Sequence, residues 1–495
     1  MYAYDDIAEN QMYITGGTSL NEVFQQPHCL PNTGHVSENC AQVSWSQLCI
    51  QLLHLTGEAK YADTLERIVY NQLLAAQKPS GEKLCYFSPL QGCKPFMSRT
   101  NCCTSSGPRG IALTTTYAYT LADDGVMVNF YEPSTLDARV KGVKLKLTQK
   151  TTYPLDGTVE IAVEPGEPVE FTLSVRIPQW CRSYTATVNG KPRPTEPGSG
   201  IYLQLSRKWK PGDTVKLDLK MPARLVKGTH TNEGFFAIRR GPLILALDTR
   251  LNPQMSHVRV SPAAEPDGTV KLTAVADPEQ ITPHAFKCEG LVCETVNNKV
   301  VLKSVPLVLT SFAEAGRTGS NYIVWLPSPD KAKTMPDSPF LFAMESWSRS
   351  GNKNGSFVDG DNSTLRVTFT RKKQDEDWFA VERQPPVTIN SVFYAHGQCY
   401  HNGSWWDASK GEPRIQVKKT PEGEWQDVAA IDTYPDTTAT DNKGLPNGKE
   451  FVVRFEPVKV IGIRIIGAPA CGVNPKQNFA SCAELLGVME NPEKR

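Results

Sequence analysis

The hydrophobic positions near the N-terminus recur every three or four residues, which is the spacing of one face of an amphipathic helix. The segment CAQVSWSQLCIQLLHL is predicted to be a helix that Ser37 caps and Gly57 ends. The same spacing predicts a second helix from Glu58 to Gln77. A third is predicted to start near Gly107-Pro108, where proline suits a first helical turn, and to end before the DDG turn at residues 123–125. Helices joined by short turns indicate α/α hairpins.

Beyond about Gly125 the hydrophobic period changes to two, which is the spacing of half-buried strands. The alternation is visible in VMVNFY, VKLKLT, VEIAVE, VEFTLSVRI, YLQLS and TVKLDLK, and Gly, Pro and Asp turns separate these segments. Many short strands at near-regular spacing predict a β-sandwich. The stretch from Pro327 to Pro339 is predicted to be a linker, and a further strand-rich unit follows from Glu345 to Val488.

These patterns predict an α+β multidomain chain in three parts. Residues 1–122 are predicted to form helical hairpins, residues 123–330 a β-sandwich, and residues 345–495 a second β-sandwich. The few predicted helices make a poor closed domain, because each apolar face needs a partner. The chain opens at MYAY without the basic and apolar segments of a signal peptide.

Composition excludes several classes of function. The 495 residues carry 53 basic and 52 acidic side chains, so no net field attracts nucleic acid. The longest aliphatic stretch, Pro242 to Leu247, falls far short of the roughly 20 residues that span a bilayer, and no membrane span is predicted. Thirteen cysteines are an odd number and a small fraction of the chain, which argues against a disulfide scaffold.

The cysteines are concentrated in the helical part, where seven lie between Cys29 and Cys103. Glu38-Asn39-Cys40 opens a predicted helix, and Cys102-Cys103 stands inside NCCTSSGPRG. One carboxylate and three thiolates make a four-ligand zinc set. The alternative is that these cysteines are small buried hydrophobes. Spacing alone does not choose the ligands, since four other cysteines compete with them, namely Cys29, Cys49, Cys85 and Cys93.

A zinc-held thiolate can also act as a nucleophile near neutral pH. A retaining glycosidase combines such a nucleophile with a carboxylic acid on the other side of the scissile bond. Glu22 in GGTSLNEVF is a candidate for the acid, because the apolar pair Val23-Phe24 beside it would raise its pKa. The alternative is that Glu22 is a solvated loop residue.

The strand order of the C-terminal unit resembles the discoidin-like (coagulation factor type C, galactose-binding-like) sandwich, which implies a glycan-binding or accessory module. Trp405 and Trp406 lie in a Gly/Asn loop, where they would either stack on a sugar or cap the sandwich. Asp359 and Asp361 would contribute either to a calcium site or to a plain Asp-Gly turn.

Seven segments together resemble one enzyme family. ITGGTSLNEVF, LPNTGHVSENC, YADTLERIVYNQLLAAQ, CYFSPLQG, NCCTSSGPRG, SVRIPQW and RRGPLILAL occur in the order seen in the β-L-arabinofuranosidase-like enzymes, glycoside hydrolase family 127 and its close relatives. The resemblance runs from the N-terminus to about residue 250. It is specific, because several unrelated motifs appear in the right order.

The resemblance implies a retaining exo-glycosidase that acts on β-L-arabinofuranosides or a related sugar in arabinose-containing glycans. By motif, Cys102 corresponds to a zinc-bound nucleophile and Glu22 to the acid/base. Cys102 is one of four Zn²⁺ ligands by this resemblance, and the other three are Glu38, Cys40 and Cys103. Tyr86 in CYFSPL corresponds to a tyrosine near the sugar.

This chain departs from the family in one respect. The family's catalytic domain is an (α/α)6 barrel, and most of its helices precede the point where this chain begins. A partial barrel is therefore expected, completed by a missing N-terminal segment or by a partner chain. A catalytically inactive carbohydrate-binding protein with a zinc-stapled helical remnant is the rival prediction, and a zinc-structured interaction protein is a third. A glycan-binding tail favours export to the periplasm or the outside, whereas zinc thiolates favour a reducing compartment.

Overall fold

The computed structural model of the protein describes residues 2–97, 101–195, 198–253, 259–296, 299–349, 353–354, 356–360, 362 and 364–490. Helices concentrate in the N-terminal part, with the bounds α1 Tyr2–Asp6, α2 Asn39–Thr56, α3 Ala59–Arg67, α4 Leu74–Ala76, α5 Cys102–Ala112 and α6 Thr114–Tyr117. A π-helical turn, Ile7–Gln11, extends α1, and another, Ile68–Leu73, joins α3 to α4. The helix predicted from Glu58 to Gln77 is therefore one helical run with a π-helical segment inside it. No helix in the described part of the chain combines the length and hydropathy that crossing a bilayer requires.

The start of α2 differs from the prediction by one residue. Glu38, and not Ser37, is the N-cap, and its Oε2 accepts a hydrogen bond from the backbone N–H of Ala41 at 3.0 Å. Gly57 ends the helix as predicted, because its φ of 68° is a left-handed conformation that glycine adopts without strain. Glu38, one of the predicted metal ligands, thus lies at the start of α2.

The start of α5 also lies upstream of the predicted position. Asn101 caps this helix, and its Oδ1 accepts hydrogen bonds from the backbone N–H groups of Cys103 and Thr104 at 2.9 and 3.1 Å. The hydroxyl of Thr104 accepts in return from the backbone N–H of Asn101 at 2.9 Å, which completes a capping box. Pro108 lies inside the helix, so the prediction that proline marks its first turn was wrong.

A β-sandwich follows the helices. The strands up to residue 219 are β1 Leu84–Cys85, β2 Gln91–Gly92, β3 Phe96–Met97, β4 Tyr119–Ala122, β5 Gly125–Val128, β6 Ser134–Val140, β7 Val143–Thr151, β8 Thr158–Pro165, β9 Val169–Ile177, β10 Tyr184–Val188, β11 Lys191–Pro192, β12 Ile201–Trp209 and β13 Asp213–Leu219. One sheet has the order β11-β10-β13-β8-β7-β6 and another the order β12-β9-β5-β4, with β5 and β9 parallel. Leu147 and Ile161 of the first sheet share a core with Leu173 and Leu205 of the second.

A further sheet separates this sandwich from the C-terminal unit. Its strands are β14 Ala223–Lys227, β15 Phe235–Arg240, β16 Leu243–Asp248, β17 Val260–Pro262, β18 Thr269–Val270, β19 Thr273–Val275, β20 Ala285–Val296, β21 Lys299–Ser311, β22 Tyr322–Ile323 and β23 Leu326–Pro327. The main order is β17-β20-β21-β16-β15-β14-β18. β2 pairs with β22, so this sheet is joined to the helical part. The region 123–330 thus holds a sandwich and a second sheet, where the sequence analysis expected one sandwich.

The C-terminal unit begins after a short helix, α7 Pro329–Thr334, which lies inside the predicted linker. Its strands are β24 Met344–Trp347, β25 Lys353–Asn354, β26 Leu365–Val367, β27 Asp377–His396, β28 Arg414–Lys418, β29 Gln426–Ala430, β30 Glu450–Gly467 and β31 Ser481–Val488. The first part of β27 pairs with β24 and β30, and the second part with β30 and β31, across an irregularity between Glu382 and Val387. We call this unit, residues 344–490, the C-terminal module.

Trp406 contacts both parts of β27. Its ring centroid is 6.2 Å from that of Phe379, and its Nε1 donates a hydrogen bond to the hydroxyl of Tyr394 at 3.0 Å. Trp405 donates from Nε1 to the carbonyl of Thr438 at 2.8 Å, and the two tryptophans are 3% and 1% exposed. Of the two alternatives for these tryptophans, the structure favours packing within the sandwich over stacking on a sugar, because both indoles are buried and satisfy their N–H groups inside the protein.

The acidic turn near residue 360 is described only in part. Asp361 lies outside the described residues. The hydroxyl of Thr364 donates to the carbonyl of Ser356 at 2.6 Å and lies 3.2 and 3.1 Å from the two carboxylate oxygens of Asp359. These local contacts favour the turn over the calcium site for Asp359.

A buried arginine joins the helices to the first sandwich. Arg176 of β9 donates from Nη1 to Asp63 Oδ1 at 2.5 Å and from Nη2 to Glu66, both on α3. Its Nε donates to the carbonyl of Asn129 at 2.7 Å. Arginine can supply this set of donors because its guanidinium is planar and always charged. The ion pairs therefore fix α3 against the sheet.

Candidate active site

Two helix starts bring together the predicted metal ligands. Glu38 is the N-cap of α2 and Cys40 lies in its first turn, while Cys102 and Cys103 are the first two residues of α5. The four ligand atoms all lie within 4.8 Å of one another, and among the described residues this is the group of His, Cys, Asp and Glu side chains that can hold a metal ion. Both pairs of ligands lie at the positive end of a helix dipole, which favours anionic side chains there.

The distances within the group suit shared coordination. Sγ of Cys40 lies 3.5 Å from Sγ of Cys103, which lies 3.5 Å from Oε1 of Glu38. Sγ of Cys102 lies 4.0 Å from both Cys103 Sγ and Glu38 Oε1. Each cysteine is free. Three sulfurs and one carboxylate oxygen at these separations match the donor set and number that tetrahedral zinc takes.

The competing cysteines lie elsewhere. Cys49 and Cys85 are buried, Cys29 is exposed, and Cys93 contacts Met344 of the C-terminal module, Sγ to Sδ, at 3.1 Å. Buried cysteines of this kind act as small hydrophobes, as the alternative interpretation proposed. That interpretation does not extend to Cys102, which is exposed.

The sulfurs approach one another because two glycines let α5 lie close to its neighbours. A Cβ on Gly107 would come within 2.5 Å of Leu84 Cδ2 and 2.7 Å of Asn39 Nδ2. A Cβ on Gly110 would come within 2.8 Å of Val43 Cγ2 on α2. Distances this short are overlaps that only displacement could relieve. The glycines of NCCTSSGPRG therefore help to set the distance between the thiols of α5 and Cys40.

Tyr86 stands between the nucleophile candidate and the acid candidate. Its carbonyl accepts from the backbone N–H of Asn39 at 2.9 Å, which fixes the tyrosine beside α2. Its hydroxyl lies 3.5 Å from Sγ of Cys102. The side chain of Glu22 interacts with the same hydroxyl and raises its pKa. The structure thus brings Glu22, Tyr86 and Cys102 close together.

The cysteines differ in their readiness to ionise. The hydrogen bond from Tyr86 is the largest cause that lowers the pKa of Cys102. Burial raises the pKa of Cys40 to about 11 and also raises that of Cys103. The pKa of Tyr86 is raised because its hydroxyl is bonded to Cys102 and Glu22, so this hydroxyl keeps its proton. Cys102 is therefore the thiol best prepared to act as a nucleophile.

Glu22 lies on a tight loop at the edge of the site. Its φ is 68°, and that of Asn21 is 53°, a left-handed conformation that non-glycine residues adopt at a cost. The loop is held because the backbone N–H of Asn21 donates to the carbonyl of His35 at 3.0 Å. Val23 and Phe24 are 53% and 54% exposed. The apolar pair therefore does not enclose the carboxylate, contrary to the expected environment of Glu22.

A cavity of 710 Å³ opens beside Glu22 and Tyr86. His35 and Phe87 line it and stack on each other, with ring centroids 4.3 Å apart and planes 10° apart. Neither residue was among the predicted site residues. The signal was present, because His35 lies in LPNTGHVSENC and Phe87 in CYFSPLQG, two of the motifs that carried the family resemblance.

The chain is similar to known proteins over its first half. Residues 2–115 match the family description "Beta-L-arabinofuranosidase, GH127 catalytic domain", and residues 125–221 match "Beta-L-arabinofuranosidase, GH127 middle domain". A non-reducing end β-L-arabinofuranosidase of Bifidobacterium longum subsp. longum is 30% identical over 278 residues, which are 50% of this chain and 42% of that protein. The chain thus spans less than half the length of this relative.

Solved structures extend the similarity to the fold. A GH127 β-L-arabinofuranosidase from Geobacillus stearothermophilus T6 aligns with a TM-score of 0.60 and 26% identity, covering 66% of this chain and 55% of that one. Another GH127 β-arabinofuranosidase aligns with a TM-score of 0.60 and 27% identity, covering 66% and 56%. A family 32 carbohydrate-binding module from C. perfringens covers 29% of this chain with a TM-score of 0.22, a likeness too weak to support any inference.

Proposed function

We propose that the protein is a retaining exo-glycosidase that hydrolyses β-L-arabinofuranosides, because residues 2–115 and 125–221 match the catalytic and middle domains of the GH127 β-L-arabinofuranosidases. The observation that carries this proposal is that the hydroxyl of Tyr86 interacts with both Cys102 and Glu22, which therefore lie close together. A retaining double displacement needs a nucleophile and a carboxylic acid close together, on either side of the scissile bond. The substrates are arabinose-containing glycans that present this sugar at the non-reducing end.

In the first step the thiolate of Cys102 attacks the anomeric carbon, while Glu22 gives its proton to the departing glycosidic oxygen. The C–S bond forms as the C–O bond breaks, which leaves a thioglycosyl enzyme and a free leaving group. Glu22, now a carboxylate, takes a proton from water, and the water displaces the sulfur from the same carbon. Two inversions return the original configuration, and Cys102 is restored as a thiolate.

Tyr86 acts on Cys102 without entering the reaction. Its hydroxyl donates to the sulfur when Cys102 is ionised, because the tyrosine keeps its proton. That hydrogen bond stabilises the thiolate before attack and after the sugar leaves. Its interaction with Glu22 keeps the acid near the nucleophile.

Glu38, Cys40, Cys102 and Cys103 fit a zinc ion by their donor atoms and separations. When bound, the metal supplies positive charge that favours ionised sulfur near neutral pH. The chain's own contribution is the placement of these ligands. Asn101 caps α5 so that Cys102 and Cys103 are its first two residues, and Glu38 begins α2 opposite them.

The proposal is tested by hydrolysis of methyl β-L-arabinofuranoside and by covalent labelling with a cyclitol epoxide. Cys102→Ser is expected to lower kcat/KM by about 10³-fold or more, because serine lacks an ionised nucleophile here. Glu22→Gln is expected to lower it by about 10²- to 10⁴-fold by removing the acid. Cys29→Ser changes an exposed cysteine outside the ligand group and serves as the matched control.

Labelling gives a readout that does not depend on turnover. Mass spectrometry of the labelled protein is expected to place the epoxide on the peptide that contains Cys102. Unchanged turnover in Cys102→Ser, or a label on another residue, would contradict the nucleophile assignment. NMR identifies the anomer that is released in the first turnover. An inverted anomer would contradict the retaining mechanism.

A further inference from the structure

The C-terminal module forms one wall of the cavity beside the proposed acid. Glu22 and Tyr86 line the cavity from the helical part, and residues 343–345 and Trp347 line it from the start of the module. Met344 and Trp347 are the ends of β24, which pairs with β27 at the edge of the module. Glu22 and Trp347 therefore line the same cavity, although more than 250 residues separate them in the sequence.

The wall is fixed in place by a buried arginine. Arg366 of β26 donates from Nη2 to the hydroxyl of Thr33 at 3.2 Å, across the boundary between module and helical part. The same Nη2 lies 3.5 Å from Oε2 of Glu345, and both side chains are almost fully buried. Gly34 makes room for this approach, because a Cβ there would lie 3.3 Å from Arg366 Nη2 and its φ is +79°. A buried charge held by two partners resists displacement.

The same contacts connect the wall to the loop of Glu22. Thr33 and Gly34, which receive Arg366, immediately precede His35. The carbonyl of His35 accepts from the backbone N–H of Asn21, the residue before Glu22. The module therefore contacts the backbone segment that holds the loop of Glu22. One hydrogen bond joins Arg366 to Thr33, and a second joins Asn21 to His35.

The exposed surface of the wall is aromatic and apolar. Trp347 lies under the guanidinium of Arg366, which is 5.1 Å from the ring centroid, and its ring meets that of Phe357 at 81°. These contacts fix the ring. Met344 is 38% exposed although it is a large hydrophobic residue. A fixed indole beside an adaptable thioether is a surface on which the C–H face of a sugar can pack.

We propose that Met344 and Trp347 form a leaving-group subsite, which binds the sugar on the reducing side of the scissile bond. This inference rests on the proposed function, because it uses the role of Glu22. The acid of a retaining glycosidase faces the departing oxygen, so the cavity that Glu22 lines is the space into which the leaving group extends. Its 710 Å³ lies within the range of about 300–1,000 Å³ typical of small-molecule sites.

Polar side chains also line the cavity. Gln91 and His35 line the cavity from the helical part. Their amide and imidazole groups can hydrogen-bond the hydroxyls of a sugar that rests on Trp347. An apolar platform with a few polar side chains is the usual composition of a small-molecule site. The module would then select the leaving group, while the helical part acts on the terminal sugar.

The test compares two substrates of the full chain, a β-L-arabinofuranosyl disaccharide and methyl β-L-arabinofuranoside. For each, kcat/KM is measured by released arabinose, and affinity is measured by calorimetry with the Cys102→Ser protein. Trp347→Ala is expected to lower the ratio of the disaccharide's kcat/KM to that of the methyl glycoside by about tenfold, the effect of one lost aromatic contact. Met344→Ala is expected to lower the ratio by about threefold, and Trp347→Phe to retain most of it.

Trp425→Ala is the matched control. Trp425 is in the same module and also lies under an arginine, with the guanidinium of Arg464 at 4.8 Å from its ring centroid. The expected ratio for this variant is that of the unsubstituted protein. An equal ratio in Trp347→Ala and Trp425→Ala, with both substrates cleaved, would overturn the subsite and leave the proposed function intact. Failure of the unsubstituted protein to bind or cleave either substrate would overturn the proposed function and the subsite with it.

Discussion

The hydroxyl of Tyr86 lies 3.5 Å from Sγ of Cys102. Tyr86 follows β1, whereas Cys102 begins α5, so the contact depends on the strand and the helix meeting beside Glu38. The contact joins a hydroxyl whose pKa is raised to a thiol whose pKa is lowered. This geometry favours the state in which the hydroxyl of Tyr86 keeps its proton and the sulfur of Cys102 is ionised.

Removal of that hydroxyl is expected to raise the pKa of Cys102. In Tyr86→Phe the thiolate loses its main hydrogen-bond donor, so the pKa of Cys102 rises. Alkylation by iodoacetamide is followed against pH in metal-free protein, with Cys102→Ser subtracted. The rate profile should move to higher pH.

Tyr119→Phe is the control for that substitution. The hydroxyl of Tyr119 lies 2.8 Å from that of Ser134, in the first sandwich, and should not influence Cys102. If the alkylation profile of Tyr86→Phe coincided with that of Tyr119→Phe, Tyr86 would not be the group that lowers the pKa of Cys102.

Zinc uptake is expected to release protons. Burial raises the pKa of Cys40 to about 11 and also raises that of Cys103, so both are thiols at neutral pH in metal-free protein. Metal ligation requires thiolates, so affinity should rise with pH up to these pKa values and fall as pH is lowered. Calorimetry in two buffers of different ionisation heat should give at least two protons released per zinc ion, from Cys40 and Cys103.

The ligand set is checked by substitution at the same site. Combined replacement of Glu38 and Cys40 by alanine should abolish stoichiometric zinc binding, whereas Cys29→Ser should leave it unchanged, because Cys29 lies outside the group. An equal zinc content in the double variant and in Cys29→Ser would rule out this assignment.

Gly107→Ala is expected to separate α5 from its neighbours. The added methyl would overlap Leu84 and the side chain of Asn39, which precedes Cys40. Overpacking of this kind costs about 1–3 kcal/mol of unfolding free energy. The displacement should also weaken zinc binding, because it moves two ligands of α5 away from the two of α2. Urea unfolding and zinc titration measure the two effects.

Ser105→Ala is the control on the same helix. Ser105 is exposed, so the substitution changes no packing contact with α2. Its stability and zinc affinity should match those of the unsubstituted chain. Normal zinc affinity in Gly107→Ala would show that the close approach of α5 does not set the ligand geometry.

Arg176→Ala is expected to destabilise the junction of helices and first sandwich. It leaves the carboxylates of Asp63 and Glu66 buried without their partner, at a cost of about 3–5 kcal/mol. Arg207→Ala removes an ion pair with Asp213 in which the arginine side chain is 39% exposed, and should cost about 0–1 kcal/mol. Similar urea midpoints for the two variants would contradict the anchoring role of Arg176.

Local patterns were sufficient to predict the main helices. The helical run from residue 59 to 76 and the end of α2 at Gly57 follow from spacing and from the conformational freedom of glycine. The predicted starts of α2 and α5 were wrong because spacing does not tell which side chain forms the capping hydrogen bond. Glu38, and not Ser37, accepts from the backbone N–H of Ala41, and the capping box of Asn101 and Thr104 begins α5 before Pro108.

The tryptophans show a different limit. Gly and Asn neighbours indicate a loop, but they do not tell whether the loop is exposed. Trp406 is buried because Tyr394 and Phe379, distant in sequence, surround it. Burial depends on which strands pair, and strand pairing is a property of the whole module.

The sequence by itself determined the chemistry available to this protein. Sulfur and carboxylate ligands, a candidate acid and the helices that carry them follow from residue type and local spacing, because these are properties of short segments. The family resemblance also singled out Cys40, Cys102 and Cys103 among the seven N-terminal cysteines, and the structure brings them together. Only the tertiary structure decided that Tyr86 lies between Glu22 and Cys102 and that Trp347 lines the cavity from another module. Those relationships arise from close packing between distant segments, where a glycine such as Gly107 or a buried charge such as Arg366 sets the distance.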